Sequence, residues 1–203
     1  MIKIIFFGDS ICTGQYVSIH KGWVTNVSRM LDGQAIVLNS SVNGRTTRQA
    51  LEDMPYHIQE QKPDILIIQF GMNDCNYWKS DKGVARVSPK AFGANLEEII
   101  ERAYILDTKK IFLNTNHSTG LVKDKLPYTD ITYEESNKTY NNIIRKVAER
   151  NPVILNDIEK EFNSHKKDIS SLLLPDLLHP NESGHNLYFN TIYPVIDREI
   201  KKL

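Results

Sequence analysis

The sequence lacks a long apolar run, an excess of one charge and a disulfide framework. None of its apolar stretches approaches the roughly 20 residues that a membrane-spanning helix needs. Its 25 Lys and Arg residues balance 25 Asp and Glu residues, whereas nucleic-acid-binding proteins usually carry a basic excess. The two cysteines, Cys12 and Cys75, are too few for a disulfide framework. We therefore expect no integral membrane association and no nucleic-acid partner. The free thiols, and an apolar start without a leader-type cleavage site, favour a cytoplasmic location.

The 203 residues are enough for one domain with its own core, and no linker or repeat interrupts them, so we predict one domain over residues 1–203. Five short apolar runs predict strands that are buried on both faces: residues 2–7, 35–38, 65–70, 110–113 and 153–155. Helical spacing predicts helices over residues 23–31, 47–61, 89–106, 133–150 and 182–202, with Pro194 expected to kink or interrupt the last of them. The alternation of strands and helices indicates an α/β fold with a parallel sheet.

Polar or glycine-containing segments follow four of the predicted strands, at residues 8–10, 39–44, 71–74 and 114–117. Parallel α/β sheets bind ligands outside the carboxyl ends of their strands. We therefore expect a site among these segments. Residues 120–132 have no clear period and contain a proline, which predicts a long surface loop at the same rim, in a position to cover a site.

A serine near the beginning of the chain and a histidine near its end are candidates for chemistry. Ser10 follows the first strand, and a serine hydroxyl becomes a good nucleophile only when a base takes its proton. His179 follows Asp176 by three residues, so one tight turn can bring the carboxylate to the imidazole and fix its tautomer. Each feature alone also fits a helix cap or a surface turn. Their co-occurrence favours a nucleophile, a base and an orienting carboxylate.

Two further residues are candidates for stabilising the oxyanion that forms when a serine attacks a carbonyl. Asn73 follows the third strand, where its amide N–H can point at a developing charge. Gly44 follows the second strand and can offer a backbone N–H that a substrate approaches closely because no Cβ is present. The alternatives are a plain turn at Asn73 and a helix-entry glycine at Gly44.

Taken in order, these segments resemble the SGNH (GDSL-type) hydrolase family. The matching blocks are Gly-Asp-Ser at 8–10, a glycine followed by threonines at 44–47, Gly-x-Asn-Asp at 71–74 and Asp-x-x-His-Pro-Asn at 176–181. The resemblance covers nearly the whole chain and depends on all four blocks together. It implies a flavodoxin-like three-layer α/β/α sandwich with a five-stranded parallel sheet, and a mechanism that needs no metal and no cofactor.

The resemblance also implies a role for each candidate residue. Ser10 is the nucleophile and gives a backbone N–H to the oxyanion hole, while Gly44 and Asn73 supply the other two donors. His179 is the base and Asp176 supports it. Two positions depart from the family pattern: Ile11 stands where the family name carries Leu, and Ser41 stands where many members have a glycine. The other common serine-hydrolase signature, G-x-S-x-G, fails at Cys12.

Four more side chains are candidate substrate contacts: Asp9, Asp74, Trp78 and His117. Asp9 and Asp74 also fit local hydrogen bonding, which we favour over a carboxylate pair for glycoside hydrolysis. Trp78, with Tyr77, is either a wall for a sugar ring or an acyl chain, or simple packing. His117 follows the fourth strand and is placed to reach the same rim.

The sequence therefore predicts a serine esterase that forms an acyl-enzyme on Ser10. The absence of a long apolar stretch beyond the core favours a short acyl group, such as acetyl, on a carbohydrate or another small molecule. Lysophospholipase, thioesterase and acyltransferase activities at the same site stay open as alternatives. A non-catalytic carbohydrate-binding domain is the alternative outside the enzymes, and loss of Ser10, Asn73 or His179 would be its signature.

Overall fold

One five-stranded parallel sheet forms the centre of the computed structural model, which describes residues 1–165 and 168–203. The strand order is β2-β1-β3-β4-β5, and all pairs are parallel. The strands are β1 (Ile2–Gly8), β2 (Ala35–Asn39), β3 (Ile65–Gln69), β4 (Lys110–Asn114) and β5 (Ile154–Asn156). This order is that of flavodoxin-like sheets, so the predicted fold class is confirmed.

The central strands are apolar because both of their faces are covered. The side chains from Ile4 to Phe7 in β1 and from Ile65 to Ile68 in β3 have no exposed surface, as is typical of strands inside a parallel sheet. The prediction of complete burial is wrong for the two edge strands: Ile36 in β2 is 45% exposed, and Ile154 and Leu155 in β5 are only partly buried. β2 lies at the edge of the sheet and has a single neighbouring strand, so less of its surface is covered.

Helices cover both faces of the sheet. On one face α4 (Pro89–Ile105) packs against α3 (Thr47–Met54) and α5 (Tyr133–Arg150), and on the other α7 (Glu182–Ile200) packs against α2 (Trp23–Met30) and α6 (Ile158–Asn163). A short helix, α1 (Ser10–Thr13), follows β1 directly. The short helices α1 and α6 were not among the predicted elements. In the part of the chain that the structure describes, no helix has both the length and the apolar character needed to cross a bilayer.

Two prolines act differently from one another. The helix predicted over 47–61 is α-helical only to Met54, and a π-helical turn, Pro55–Gln59, replaces its second half. Pro55 has no N–H to continue the α-helical hydrogen-bond ladder. Pro194 does not interrupt the last helix, because α7 runs through it, and the alternative of a kink stays a prediction. Ile192 and Ile196, on either side of Pro194, are completely buried, and this packing holds the helix together across the missing hydrogen bond.

The connections leave β1 and β3 in opposite directions, since β1 leads to β2 on one side and β3 leads to β4 on the other. The carboxyl ends of two such neighbouring strands diverge and leave a crevice, where doubly wound folds bind their ligands. Gly8 at the end of β1 pairs with Gln69 at the end of β3. Ser10 and Asn73 follow these two ends, so the topology brings them to the same crevice.

Candidate active site

Ser10 is the first residue of α1. The preceding residue, Asp9, caps this helix, because its Oδ1 accepts a hydrogen bond of 3.0 Å from the Ile11 N–H. The backbone N–H of a residue in the first turn of a helix has no partner within that helix. Ser10 therefore presents a hydroxyl and an N–H at the same point, and only 6% of its surface is exposed.

Asp176 organises the turn that carries His179. Its Oδ1 accepts hydrogen bonds of 2.9 Å from the backbone N–H groups of Leu178 and His179, and its Oδ2 lies 2.7 Å from His179 Nδ1. Partial burial opposes ionisation, but these three hydrogen bonds prevail and hold the pKa of the Asp176 carboxyl below its ordinary value. An ionised carboxylate at Oδ2 places the imidazole proton on Nδ1 and leaves a lone pair on Nε2.

The lone pair of His179 faces Ser10. The Nε2 atom lies 3.1 Å from Ser10 Oγ, which is within hydrogen-bonding distance. The side chains of Asp176, His179 and Ser10 thus form one continuous hydrogen-bonded line. Tyr16 packs edge-on against the His179 ring, with the ring centroids 5.1 Å apart. His179 Nε2 can therefore accept the proton of the Ser10 hydroxyl as that hydroxyl attacks a carbonyl.

His117 contacts the turn that carries His179 from the protein interior and does not reach the cavity at Ser10. It is completely buried, and its Nε2 lies 2.8 Å from the carbonyl oxygen of Leu178, the residue before His179. Burial lowers the pKa of His117 to about 3, so the ring is neutral. A neutral ring that donates from Nε2 accepts at Nδ1, where the Tyr188 hydroxyl lies at 2.8 Å. The prediction that His117 reaches the cavity is thus wrong, because the segment after β4 turns into the core.

Asn73 and Gly44 lie at the same cavity as Ser10 and His179. The amide nitrogen of Asn73 is 3.3 Å from Asp9 Oδ2, and its oxygen accepts a hydrogen bond of 3.1 Å from Arg86. Gly44 has a φ of +77°, and a Cβ built there would meet no atom within 4 Å. The left-handed backbone is one reason for a glycine at this position, and close approach by a substrate stays a prediction.

This cavity has a volume of about 350 Å³, at the lower end of the range of ligand pockets. It brings together four of the predicted residues, while Asp176 lies behind the His179 ring. Its remaining lining mixes polar and apolar side chains to which the sequence analysis assigned no role in the site. They are Ile11, Gln15, Tyr16, Asn43, Met72, Asn76, Tyr133 and Leu178. No motif marks Tyr16 or Tyr133, because only the folded chain brings them to this rim.

Trp78 lies in a second, larger cavity of about 590 Å³ and not in the one that Ser10 lines. The Arg86 guanidinium stacks over the Trp78 ring at 4.4 Å from its centroid. The same guanidinium donates hydrogen bonds to the Asn73 side chain and to the Gly44 carbonyl. Arg86 therefore separates the two cavities. The second cavity is lined by Thr46, Arg48, Gln49, Trp78, Asp81, Val84, Ala85, Arg86 and Ser88.

Asp9 and Asp74 are completely buried and line neither cavity. Burial, with a smaller contribution from the charge of Asp74, raises the pKa of Asp9 to about 7. Burial also raises the pKa of Asp74 to about 6. Asp74 Oδ1 accepts from the backbone N–H and the hydroxyl of Thr47, which begins α3. Both carboxyls hold neighbouring residues in place, and neither is exposed to a substrate.

The loop over 120–132 lines neither cavity. The Gly120 N–H donates a hydrogen bond of 2.8 Å to the Leu177 carbonyl, and Leu126 is buried. The loop thus supports the turn of Asp176 and His179 from outside. Its action as a cover stays a prediction.

Two cysteines and one further histidine are buried and take no part in the hydrogen-bonded line from Asp176 to Ser10. Cys12 and Cys75 are free and buried, and burial raises the pKa of each thiol above its ordinary value. Neither is a good nucleophile, since the thiolate is the reactive form. His185 is also buried, and its Nδ1 accepts a hydrogen bond of 3.4 Å from the Trp23 N–H.

Comparison of the chain with known proteins identifies a matching family and several similar proteins. The model of the GDSL-like lipase/acylhydrolase family matches residues 6–187. An arylesterase of Vibrio mimicus is 31% identical over 101 residues, which are 48% of this chain and 46% of that protein. An acetylxylan esterase of Geobacillus stearothermophilus is 25% identical over 205 residues, covering 90% of this chain and 88% of that protein. A solved lipase/acylhydrolase of Enterococcus faecalis superposes with a TM-score of 0.80 at 24% identity, over 98% of this chain and 97% of that one. At this identity the superposition shows the fold.

Proposed function

The chain belongs to the GDSL-like lipase/acylhydrolase family and is a carboxylic ester hydrolase, and on that premise we propose that it works through an acyl-enzyme on Ser10. The observation that carries the proposal is the hydrogen-bonded line from Asp176 through His179 to Ser10, with spacings of 2.7 and 3.1 Å. A buried serine at this spacing from an oriented imidazole can lose its proton during attack.

In the proposed first half-reaction, Ser10 Oγ attacks the ester carbonyl while His179 Nε2 takes its proton. The new negative charge on the carbonyl oxygen is stabilised by the N–H groups of Ser10 and Gly44 and by the Asn73 amide. His179 then returns the proton to the leaving alcohol as the ester C–O bond breaks. In the second half-reaction water takes the place of the alcohol and releases the acid.

We propose a short acyl group as the substrate's acid part. The cavity at Ser10 measures about 350 Å³ and about half of its lining residues are polar, which favours an acetyl group over a long hydrocarbon chain. The similarity to an acetylxylan esterase over 90% of this chain is in keeping with an acetyl group on a carbohydrate. A cytoplasmic location stays a prediction of the sequence.

We further propose that the alcohol part of the ester extends into the cavity lined by Trp78. That cavity adjoins the first one across Arg86 and presents a half-exposed indole ring among hydrogen-bonding side chains. Trp78→Ala should raise KM for an acetylated disaccharide at least threefold more than KM for p-nitrophenyl acetate. An equal change for both substrates would exclude this placement, because both share the site at Ser10.

The test of the acyl group is a panel of p-nitrophenyl esters from acetyl to palmitoyl, with Ser10→Ala as the inactive control. We expect the highest kcat/KM for acetyl or propionyl esters and none with Ser10→Ala. Highest activity on palmitate would support the lysophospholipase or thioesterase alternative. Product analysis with an added sugar acceptor separates hydrolysis from acyl transfer. A wild-type protein inert toward every ester would favour the non-catalytic alternative.

A further inference from the structure

Among residues 1–165 and 168–203, Arg86 is the one charged side chain that donates hydrogen bonds to both Asn73 and Gly44. Its NH1 donates to Asn73 Oδ1 and its NH2 donates to the Gly44 carbonyl, each at 3.1 Å. The two prongs of a planar guanidinium have a fixed separation, so one group sets the positions of both acceptors relative to each other. Arg86 belongs to none of the four sequence blocks, and it does not line the cavity at Ser10.

The contact with Arg86 determines which way the Asn73 amide faces. An amide oxygen accepts and an amide nitrogen donates, so the oxygen must face the guanidinium and the nitrogen must face Asp9 Oδ2 at 3.3 Å. A flipped amide would set its N–H donors against the N–H donors of Arg86. One N–H of the amide nitrogen is used by Asp9, and the second is left for an oxyanion.

The contact with Gly44 restrains a flexible residue. Glycine rotates more freely about its backbone bonds than any other residue, and Gly44 has the left-handed φ of +77°. Because the Gly44 carbonyl is tied to Arg86, rotation of this residue about its backbone bonds is restrained before a substrate arrives. Donors that are oriented in advance need no reorganisation during the reaction.

The position of Arg86 is itself fixed from two sides. Its backbone N–H donates a hydrogen bond of 2.9 Å to the Asn76 carbonyl, and its guanidinium stacks on the Trp78 ring at 4.4 Å from the centroid. Its two donated side-chain bonds go to an amide oxygen and a carbonyl oxygen, not to a carboxylate. The hydrogen bonds of this half-buried guanidinium therefore orient two neutral groups, the Asn73 amide and the Gly44 carbonyl.

We infer that Arg86 is a positioning residue for the oxyanion hole, holding Asn73 and Gly44 in register through its two nitrogen donors. The inference rests on the proposed function, since it assumes that these two residues stabilise an oxyanion. It assigns Arg86 no contact with the reacting atoms. Its loss should therefore lower kcat and leave KM nearly unchanged, because the donors act most strongly on the transition state.

The experiment compares Arg86→Ala and Arg86→Lys with Arg102→Ala, which removes an exposed arginine of α4 that pairs with Glu98. With p-nitrophenyl acetate, we expect Arg86→Ala to lower kcat about 10- to 100-fold, less than the loss of a donor itself, with KM within about threefold of wild type. Arg86→Lys should be intermediate, because an ammonium group cannot hold both acceptors in a fork. Arg102→Ala should match wild type.

Two readouts separate positioning from general loss of structure. Guanidinium at tens of millimolar should raise kcat of Arg86→Ala several-fold and leave kcat of Asn73→Ala unchanged. The effect of Arg86→Ala should also shrink in the Asn73→Ala background, since the two act through one interaction. The inference would be overturned if Arg86→Ala lowered kcat by the same factor in the Asn73→Ala protein as in the wild type. A wild-type kcat in the single variant Arg86→Ala would also overturn it.

Failure of the inference is distinguishable from failure of the proposed function. A wild-type protein with no Ser10-dependent esterase activity contradicts the proposed function. A wild-type protein with that activity, and Arg86 variants that match it, contradicts only the inference. If circular dichroism shows that Arg86→Ala is unfolded, the Arg86→Lys variant decides. A folded Arg86→Lys protein with wild-type kcat would also overturn the inference.

Discussion

Ser10 and His179 lie 3.1 Å apart between Oγ and Nε2, although 169 positions separate them in the chain. Strand β1 ends at the rim where Ser10 lies, and the turn before α7 places His179 at the same rim. That turn is closed by a hydrogen bond of 2.8 Å from the Leu174 N–H to the His179 carbonyl. The imidazole is therefore held by its own backbone, by Asp176 and by the Leu178 contact to His117.

Asn73→Ala tests the oxyanion donor. The variant removes the amide that faces the cavity, and the loss of one such donor usually lowers kcat about 10²- to 10³-fold. KM should change little, because the ground-state carbonyl carries little charge. Steady-state kinetics with p-nitrophenyl acetate measures both constants. Asn190→Ala, an exposed position on α7, is the matched control, and equal kcat in both variants would remove Asn73 from the mechanism.

Asp176→Asn tests the tautomer of His179. The substitution keeps Oδ1, which accepts from two backbone N–H groups, so the turn and the melting temperature should change little. It replaces Oδ2 by an N–H donor, which favours the proton on Nε2 and leaves no lone pair for Ser10. We expect kcat to fall about 10²- to 10⁴-fold. A variant with wild-type kcat would show that this carboxylate does not orient the base.

Tyr188→Phe tests the buried hydrogen bonds from Tyr188 through His117 to the Leu178 carbonyl, which hold the turn of His179. It leaves His117 Nδ1 without its 2.8 Å partner, and an unsatisfied buried polar atom costs about 1–3 kcal/mol. The free energy of unfolding, measured by urea denaturation, should fall by that amount. Tyr193→Phe, on the same helix with a half-buried ring stacked on Phe189, should have a much smaller effect. Equal stabilities would mean that the Tyr188 hydroxyl contributes nothing to this support.

Asp9→Asn tests a pH effect on stability. Burial raises the pKa of Asp9 from 3.8 to about 7, so the folded protein holds this proton more tightly than the unfolded chain does. The resulting stabilisation is complete below pH 4 and is lost as the pH rises to 7. Asp9→Asn cannot titrate, so its stability relative to wild type should increase between pH 5 and pH 8, by roughly 1–3 kcal/mol.

Urea denaturation of both proteins at pH 5 and pH 8 measures this difference. Asp74 and the buried His117 also have shifted pKa values, but both are present in wild type and variant, so the comparison reports Asp9 together with its electrostatic coupling to Asp74. A constant difference between the two proteins across this range would contradict a raised pKa at Asp9.

The sequence was sufficient to predict the sheet and most helices, because the apolar runs are clear and strands alternate regularly with helices. It also indicated which residues meet at Ser10, since parallel strands bring their carboxyl ends to one edge. The helix predicted over residues 89–106 begins at Pro89 as expected, and the Ser88 side chain caps it by accepting a hydrogen bond from the Ala91 N–H.

Other features depend on distant parts of the chain and leave no local signal. His117 was expected at the cavity, but only the fold shows that its segment turns inward to Tyr188. Trp78 was expected beside Ser10, but the segment from Tyr77 to Arg86 carries it to the next cavity. Arg86 was not singled out, because nothing in its neighbourhood in the sequence shows that its guanidinium reaches Asn73 and Gly44.

The most direct test is to identify the residue that a fluorophosphonate ester modifies. The reagent phosphonylates an activated serine, and tandem mass spectrometry of the digested protein locates the adduct. We predict a single adduct on Ser10 in the wild type, none in Ser10→Ala, and much slower modification in His179→Gln. An adduct on another residue of the wild type, or an undiminished rate in His179→Gln, would contradict the account.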